Sequence, residues 1–197
     1  MIIGLTGGIA SGKSTVVEMI KEVGYKVIDA DQLVHDMQAK GGRLYRALHD
    51  WLGEDILLSD GELNRPKLGK LIFSSEEMRH QSAEIQGKII REELAVKRDC
   101  LAKEEDVFFM DIPLLIENGY QDWFDQIWLV AVSPEVQRQR LMKRNHLSAE
   151  EAGMRIASQM PLAEKLPYAS LVIDNNGSID DLKKKVKSAI KDLANLV

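Results

Sequence analysis

The sequence has little cysteine and no long hydrophobic run. Its single cysteine, Cys100, excludes an internal disulfide and favours a reducing compartment, so we expect a cytoplasmic protein. The longest apolar runs, such as IWLVAV at 127–132, are far too short to span a bilayer. No basic segment followed by an apolar stretch opens the chain, and we therefore expect neither a secretory leader nor a membrane partner.

An excess of positive charge is also missing. The 26 lysine and arginine residues are outnumbered by 31 acidic residues, which gives a formal net charge of −5. Aromatic residues make up only 6% of the chain and do not alternate with a basic stripe. Proteins that bind the nucleic-acid backbone are usually basic. We therefore expect no nucleic-acid partner, and any site for a polyanion must be local.

Short apolar segments alternate with amphipathic ones along the 197 residues. Strands are predicted for MIIGLT (1–6), YKVID (25–29), DVFFMDI (106–112), QIWLVAV (126–132) and LVID (171–174). Helices are predicted for 14–23, 30–39, 43–52, 66–103 with a break at Ser74–Ser75, 134–144, 148–159 and 178–194. The alternation predicts one α/β domain over 1–197, with a five-stranded, mainly parallel sheet flanked by helices. Residues 43–103 contain no strand pattern and are interpreted as an inserted helical lobe.

Glycine is concentrated directly behind the first strand, in GLTGGIASGKST at 4–15. Residues 7–14, here called the P-loop, match G-x-x-x-x-G-K-[ST] at each fixed position. Glycines let backbone N–H groups point at phosphate oxygens, and the following helix adds its positive dipole end. Lys13 is expected to bridge the β- and γ-phosphates, and Ser14 to offer its hydroxyl to Mg²⁺. Contacts with a nucleoside triphosphate are predicted for Gly8, Ile9, Ala10, Ser11, Gly12, Lys13, Ser14 and Thr15.

Acidic residues follow two of the predicted strands. Asp29 and Asp31 come at the end of the second strand, at the sheet edge where open α/β folds bind ligands. Two residues apart on an extended segment, they point the same way, and a carboxylate there can take the proton of an attacking hydroxyl. We assign the base to Asp31 and helix capping to Asp29, although the spacing alone leaves the reverse open. Asp111 ends an apolar strand, as the carboxylate of a Walker B element does, and is the candidate ligand for Mg²⁺. The alternative is an ordinary turn residue at the end of a strand.

Four cations lie within SPEVQRQRLMKRN at 133–145. On a helix that starts at Ser133-Pro134-Glu135, Arg140 and Arg144 lie one turn apart on one face, and Arg138 points away. Such a pair can stabilise the charge that builds on a transferred phosphoryl group, whereas a solvated basic face is the alternative. Arg155 and Gln159 form a second i, i+4 pair of this predicted lid, at about 136–160.

The overall pattern is typical of a small-molecule kinase. The segment DNNG at 174–177 lacks the lysine of the Asn-Lys-x-Asp guanine signature, which argues against a regulatory GTPase. A short chain with a P-loop, a helical insert and an arginine cluster fits an enzyme that phosphorylates a small acceptor. Two alternatives remain: a kinase for another acceptor, such as a nucleoside monophosphate, and a nucleotide-dependent switch that hydrolyses slowly.

Six segments in order resemble the dephospho-CoA kinase family, from residue 1 to about residue 177: GLTGGIASGKST, VIDAD, LNRPKLGKLIF, DIPLLIENG, VSPEVQRQRLMKRN and VIDNNG. The resemblance implies a P-loop kinase fold and transfer of phosphate from ATP, with Mg²⁺, to the ribose 3′-hydroxyl of dephospho-CoA. The products are CoA and ADP, and this is the last step of CoA synthesis. The family is usually monomeric or weakly associated, and cytoplasmic.

The same resemblance implies roles for single residues. It places the base at Asp31, the lid arginine at Arg140, a CoA-side arginine at Arg65, and the adenine neighbours at Asn175 and Gly177. Arg144 is expected to bind nucleotide. Acceptor contacts are expected from Pro113, Leu114 and Glu117, and Glu117 is also expected to form a salt bridge or to orient an arginine that faces the substrate.

Two positions depart from the family pattern. Ala10 stands where the family usually has glycine, which is tolerable if the φ of Ala10 is negative. Gln86-Gly87 stand where the family commonly has His-Pro, so if that histidine contacts substrate, Gln86 must replace its hydrogen bond. The histidines have no metal-ligand spacing and are interpreted as solvated or packing residues: His35, His49, His80 and His146.

Overall fold

The computed structural model describes residues 1–196, which form two compact units. The first contains residues 1–29 and the chain from Leu101 onward, and the second contains residues 30–100. The helical lobe predicted at 43–103 falls mostly within the second unit, which already begins at Ala30.

A parallel sheet forms the centre of the first unit. Its strands are β1 (Ile2–Gly7), β2 (Lys26–Asp29), β3 (Phe108–Asp111), β4 (Gln126–Ala131) and β5 (Leu171–Asp174). The order is β2-β3-β1-β4-β5, and every neighbouring pair is parallel. The predicted five-stranded sheet is therefore confirmed. The central strand β1 carries the P-loop at its carboxyl end, where Leu5 lies beside Asp111 and Gly7 beside Val130.

The helices agree closely with the predicted segments. In chain order they are α1 (Lys13–Glu22), α2 (Ala30–Met37), α3 (Arg43–Leu52), α4 (Arg65–Ile72), α5 (Glu76–Leu101), α6 (Pro134–Asn145), α7 (Ala149–Ala157), α8 (Leu162–Lys165) and α9 (Ile179–Ala194). The predicted break lies between α4 and α5, where the hydroxyl of Ser75 accepts the N–H of Met78 at 3.1 Å. Ser133 caps α6 in the same way through the N–H of Val136. The short helix α8 was not predicted.

Apolar side chains of α1 and α9 pack on the sheet of the first unit. Val16 and Ile20 of α1 and Leu182 and Val186 of α9 are almost fully buried in one cluster with aromatic residues of the strands. Within that cluster, Phe109 and Trp128 meet edge to face with ring centroids 5.1 Å apart: the side chains come from β3 and β4, on either side of β1. This packing fixes the strand whose end carries the P-loop.

The second unit is helical and has its own small core. Leu48, Ile56, Leu63 and Leu68 are buried there, and the hydroxyl of Tyr45 donates to a backbone carbonyl in the loop before α4 at 2.7 Å. None of the helices in the described part of the chain is both long and apolar enough to cross a membrane.

Gln86 and Gly87 lie inside α5, the 26-residue helix of the second unit. The side-chain amide of Gln86 donates to the hydroxyl of Ser82 at 2.7 Å, one turn earlier. Gly87 is exposed, and a Cβ added there would meet no atom within 4 Å. This part of the lobe is therefore continuous helix, although glycine has a low helix propensity.

Candidate active site

The P-loop begins with a tight turn and ends in a helix. The N–H of Ser11 donates to the carbonyl of Gly8 at 3.1 Å, which leaves Ile9 and Ala10 as the central residues of the turn. The cap of α1 is Gly12, with φ of 87° and no side-chain cap bond. Backbone N–H groups of the first helical turn therefore remain available for an anion, as the motif predicts.

Ala10 has a positive φ of 59°. The condition under which alanine would be tolerated, a negative φ, is therefore not met. Ile9 has a negative φ, and the residue that follows it in the turn takes the left-handed conformation of type II geometry. Glycine is the usual residue there since it has no Cβ to collide with its own backbone. Ala10 therefore stores backbone strain within the P-loop.

Side chains from distant parts of the first unit hold the P-loop from outside. The side-chain amide of Gln137 donates to the carbonyl of Ile9 at 2.9 Å, and the N–H of Ile9 donates to Gln159 at 2.8 Å. The buried amide of Asn175 donates to the carbonyl of Ser11 at 2.8 Å. Asn175, which was predicted to lie beside adenine, thus supports the loop backbone in this structure.

The two charged residues predicted for phosphate and metal binding lie together. The ammonium group of Lys13 pairs with the carboxylate of Asp111, and both side chains are mostly buried, at 15% and 10% exposure. The pairing follows from the sheet, because β1 and β3 are neighbours whose carboxyl ends meet at one edge. Ser14 stands exposed at the second residue of α1.

A divalent metal ion fits these oxygen donors. Hard cations prefer carboxylate and hydroxyl oxygens, which Asp111 and Ser14 supply. Among the described residues, no group of three or more His, Cys, Asp or Glu side chains could hold a metal ion by itself. The protein donors therefore suit an ion that keeps waters and takes phosphate oxygens as further ligands.

The two predicted lid arginines differ in their surroundings. Arg140 is partly buried, and its Nη1 lies 3.9 Å from the position a Cβ would have at Gly12. Arg144 is exposed, and its Nε donates to the neighbouring Asn145 at 2.9 Å. The structure thus brings Arg140 to the P-loop.

A buried ion pair holds the segment that follows β3. Glu117 lies 2.7 Å from the ammonium group of Lys165 in α8, and Lys165 is only 1% exposed. The carbonyl of Pro113 accepts the hydroxyl hydrogen of Thr6 at 2.9 Å, whereas Leu114 is exposed. The predicted salt bridge of Glu117 is therefore formed, with a lysine rather than an arginine as its partner.

The acceptor-side residues Asp31 and Arg65 belong to the second unit. Strand β2 ends at Asp29, so Asp31 lies in the first turn of α2, and the argument from an extended segment was wrong. Its carboxylate is exposed, as a base open to a substrate must be. Arg65 is the first residue of α4, and its Nε donates to Gln38 at 3.4 Å.

The nucleotide-side loop lies between β5 and α9. Gly177 is exposed there, and a Cβ at this position would come within 3.0 Å of the carboxylate of Asp181. Asp174, at the end of β5, accepts a hydrogen bond from Lys185, which lowers the pKa of its carboxyl group, with a smaller contribution from Asn176. These contacts fix the chain on both sides of Asn175.

Sequence reasoning missed Gln137 and Lys165 as members of this site. Both contribute to the lining of a cavity of about 50 Å³ beside the P-loop, with Gly8 and Ser11 also in its wall. The sequence contained a weak signal for each residue. Gln137 lies three residues before Arg140 on the same helical face, and Lys165 lies three residues after Leu162, which also lines the cavity.

Known proteins of similar sequence and fold were compared with the chain. The family model for dephospho-CoA kinase matches residues 1–181. A dephospho-CoA kinase from Streptococcus thermophilus strain LMG 18311 is 90% identical over 197 residues, which is all of both chains. One from Streptococcus pyogenes serotype M3 strain MGAS315 is 62% identical over 195 residues, 99% of each.

Solved structures agree with these relatives. The dephospho-CoA kinase from Campylobacter jejuni superposes with a TM-score of 0.77 at 28% identity, covering 98% of this chain and 97% of that one. A shikimate kinase from Bacteroides thetaiotaomicron has a TM-score of 0.55 at 15% identity, covering 98% of each chain, and this likeness concerns the P-loop kinase fold alone. By its sequence over the full length, the chain belongs to the dephospho-CoA kinase family.

Proposed function

We propose that this chain transfers the γ-phosphoryl group of ATP to the ribose 3′-hydroxyl of dephospho-CoA and releases CoA and ADP, the final step of CoA biosynthesis. The observation that carries this proposal is the family match over residues 1–181. The matched range includes the P-loop and the ion pair that Lys13 of the P-loop forms with Asp111. The fold alone would not choose the acceptor, since shikimate kinase has a related fold.

The P-loop binds the triphosphate in this proposal. Nucleotide contacts are assigned to backbone and side-chain groups of Gly8, Ile9, Ala10, Ser11, Gly12, Lys13, Ser14 and Thr15. In this structure the ammonium group of Lys13 pairs with Asp111. We infer that it turns to the β- and γ-phosphates when they arrive, because their charge exceeds that of one carboxylate.

Mg²⁺ is the divalent ion we assign to the site. Ser14 and Asp111 would hold it together with phosphate oxygens, and once bound it would neutralise charge on the β- and γ-phosphates. Once Lys13 turns to the phosphates, the carboxylate of Asp111 has lost this one partner and can serve as a ligand of the ion.

Asp31 is the proposed base. It lies two residues beyond β2, the strand that pairs with β3, and its exposed carboxylate can accept the proton of the 3′-hydroxyl as that oxygen attacks phosphorus. Arg65, Pro113 and Leu114 are proposed to contact dephospho-CoA. Glu117 supports Pro113 and Leu114 through its ion pair with Lys165, so we assign it to positioning the acceptor segment.

Arg140 is the proposed catalytic cation of the lid. Its guanidinium group lies beside Gly12 and can stabilise the negative charge of the transferred group. Arg144, one helical turn further, is proposed to bind the nucleotide from the same face of α6. Asn175 and Gly177 are proposed to lie beside the adenine. Asn175 also keeps its hydrogen bond to the carbonyl of Ser11 in the P-loop.

We also infer a reducing, cytoplasmic setting and a monomer or weak oligomer. The single cysteine, Cys100, is exposed and free, which suits a compartment that keeps thiols reduced. Light scattering at several protein concentrations tests the oligomeric state.

A coupled assay for ADP release tests the function directly. We expect turnover with ATP and dephospho-CoA, and none with AMP or a sugar acid as acceptor. Asp31→Asn should lower kcat by about 10²–10⁴-fold and leave ATP affinity largely unchanged, since a general base contributes about this much. The neighbouring Gln32→Glu serves as a control for charge on α2. Activity with AMP but not with dephospho-CoA would refute the acceptor, and unchanged turnover in Asp31→Asn would refute the base.

A further inference from the structure

Two glutamine side chains from outside the motif bind both polar backbone groups of one P-loop residue. Gln137 of α6 donates to the carbonyl of Ile9, and Gln159, just beyond α7, accepts the N–H of the same residue. We propose that this pair, the amide clasp (Gln137 and Gln159), consists of positioning residues that keep Arg140 aligned with the P-loop for phosphoryl transfer.

Gly8 provides independent support for the clasp. A Cβ at Gly8 would lie 2.7 Å from Nε2 of Gln137, and the next nearest atom is Cδ of the same side chain at 3.8 Å. Its φ is outside the left-handed region, so the backbone conformation does not require glycine. Gly8 therefore lacks a side chain at the point where Gln137 reaches across to Ile9.

The clasp and the catalytic cation share one face of α6. Gln137 and Arg140 are three residues apart, which places them on neighbouring turns of the same side. Gln137 contacts the P-loop at Ile9, and Arg140 lies beside Gly12 at its other end. Gln137 therefore bonds the loop from the face of α6 that carries Arg140. Within this proposal, loss of the bond to Ile9 lets that face shift and displaces the guanidinium group.

The clasp bonds are partly buried. Gln137 and Gln159 line the cavity of about 50 Å³ that also borders Gly8 and Ser11. Loss of either bond leaves a polar backbone group of Ile9 without its side-chain partner, which costs free energy. The N–H of Ile9 donates to Gln159 in this structure, so the clasp acts on a residue to which the proposed function also assigns a nucleotide contact.

This inference rests on the proposed role of Arg140 and predicts a kinetic signature. Gln137→Ala should lower kcat by about 10- to 100-fold, since small misplacements of a catalytic group cost about this much. The KM for ATP should change less than about threefold, because most phosphate contacts come from the remaining loop amides. A larger KM with unchanged kcat would overturn the proposal.

Charge-matched variants separate the clasp from a general structural role. In Gln137→Glu the carboxylate faces the carbonyl of Ile9, so two acceptors oppose each other and kcat should fall as far as in Gln137→Ala. In Gln159→Glu an oxygen still accepts the N–H of Ile9, so kcat at saturating ATP should fall by less than in Gln137→Glu. Equal activity of the two variants would overturn the proposal, because both add the same charge beside the same residue.

Two double-variant cycles complete the test, with thermal unfolding as a check on folding. In the Arg140→Ala background, Gln137→Ala should lower kcat little further; a full second loss would overturn the clasp. Gly8→Ala should reproduce the loss seen in Gln137→Ala, and the combined variant should be no worse than either single one, whereas multiplied losses would overturn the steric argument. Arg140→Ala with unchanged kcat would refute the proposed function of Arg140 instead.

Discussion

Replacement of Ala10 by glycine should stabilise the protein, which is the reverse of the usual effect of this substitution. Ala10 is held at a φ of 59° between Ile9, whose backbone is bound by two glutamines, and Ser11, whose carbonyl is bound by Asn175. The contacts on both sides prevent the residue from relaxing to a negative φ. Glycine adopts this conformation without a Cβ collision.

The magnitude follows from two opposing terms. The left-handed conformation costs an L-residue about 1–2 kcal/mol, which glycine avoids. Glycine also makes the unfolded chain more flexible, which costs about 0.4–1 kcal/mol. The difference is a net gain of about 0.8 kcal/mol in the free energy of unfolding at the middle of these ranges, with limits of about 0 and 1.6 kcal/mol. For a chain of this size the melting temperature should rise by about 1–4 °C.

The assay is thermal unfolding of nucleotide-free protein, with Ala83→Gly as the matched control. Ala83 is exposed in the middle of α5 and has a negative φ, so glycine there should lower the free energy of unfolding by about 1 kcal/mol. Opposite shifts of the two variants are expected. A loss in Ala10→Gly as large as in Ala83→Gly would show that Ala10 is not strained.

Coupling to the clasp sharpens this measurement. If Gln159 helps to impose the positive φ, its replacement by alanine lets the turn relax, and the gain from Ala10→Gly should shrink or change sign. An identical gain in both backgrounds would show that the turn holds its conformation without Gln159.

Three further predictions concern single sites. Gly87→Ala should raise the melting temperature by about 2–4 °C. The site is an exposed helix interior with open space, where alanine adds about 1 kcal/mol to the free energy of unfolding. A melting temperature below that of the parent would contradict this prediction. Lys165→Met should cost about 3 kcal/mol in chemical denaturation by leaving Glu117 buried without its partner, and adding Glu117→Gln should restore part of the loss. Lys185→Met should cost at most about 1 kcal/mol at pH 7, because its partner Asp174 is exposed to solvent. The folded pKa of Asp174 is lowered, so this contribution is present above its ordinary pKa and is lost as the pH falls through the folded value; parent and variant should converge in acid.

Local patterns were sufficient to predict most of the fold. Each strand is a short apolar run, and several helices begin at a serine whose hydroxyl caps the first turn, such as Ser133 for α6. Parallel pairing followed from the alternation of strands and helices. The short helix α8 lacks such a signal, because four residues are too few for a helical pattern to emerge.

The site was predictable where chemistry follows a motif and unpredictable where it depends on distant contacts. The sequence marked Lys13 and Asp111 separately, one by the P-loop motif and the other by the end of an apolar strand, and the neighbouring strands β1 and β3 bring them together. The bonds from Gln137 and Gln159 to Ile9 join residues 128 and 150 positions apart, and no local pattern determines such partners. The same reason explains why the sequence left the φ of Ala10 open, since that angle depends on the turn and its supports.

The supports of the P-loop imply that nucleotide binding and lid position are energetically linked. The motif specifies glycine, lysine and serine because backbone groups bind the phosphates, but the loop conformation also depends on Gln137, Gln159 and Asn175. A triphosphate that binds the clasped loop more tightly than the released loop must stabilise the clasp by the same free energy, because coupling between two equilibria is reciprocal. Because we expect the KM for ATP to change less than about threefold without Gln137, this coupling is at most about 0.6 kcal/mol, and we expect the clasp itself to hold α6 and Arg140 in place before the acceptor reacts.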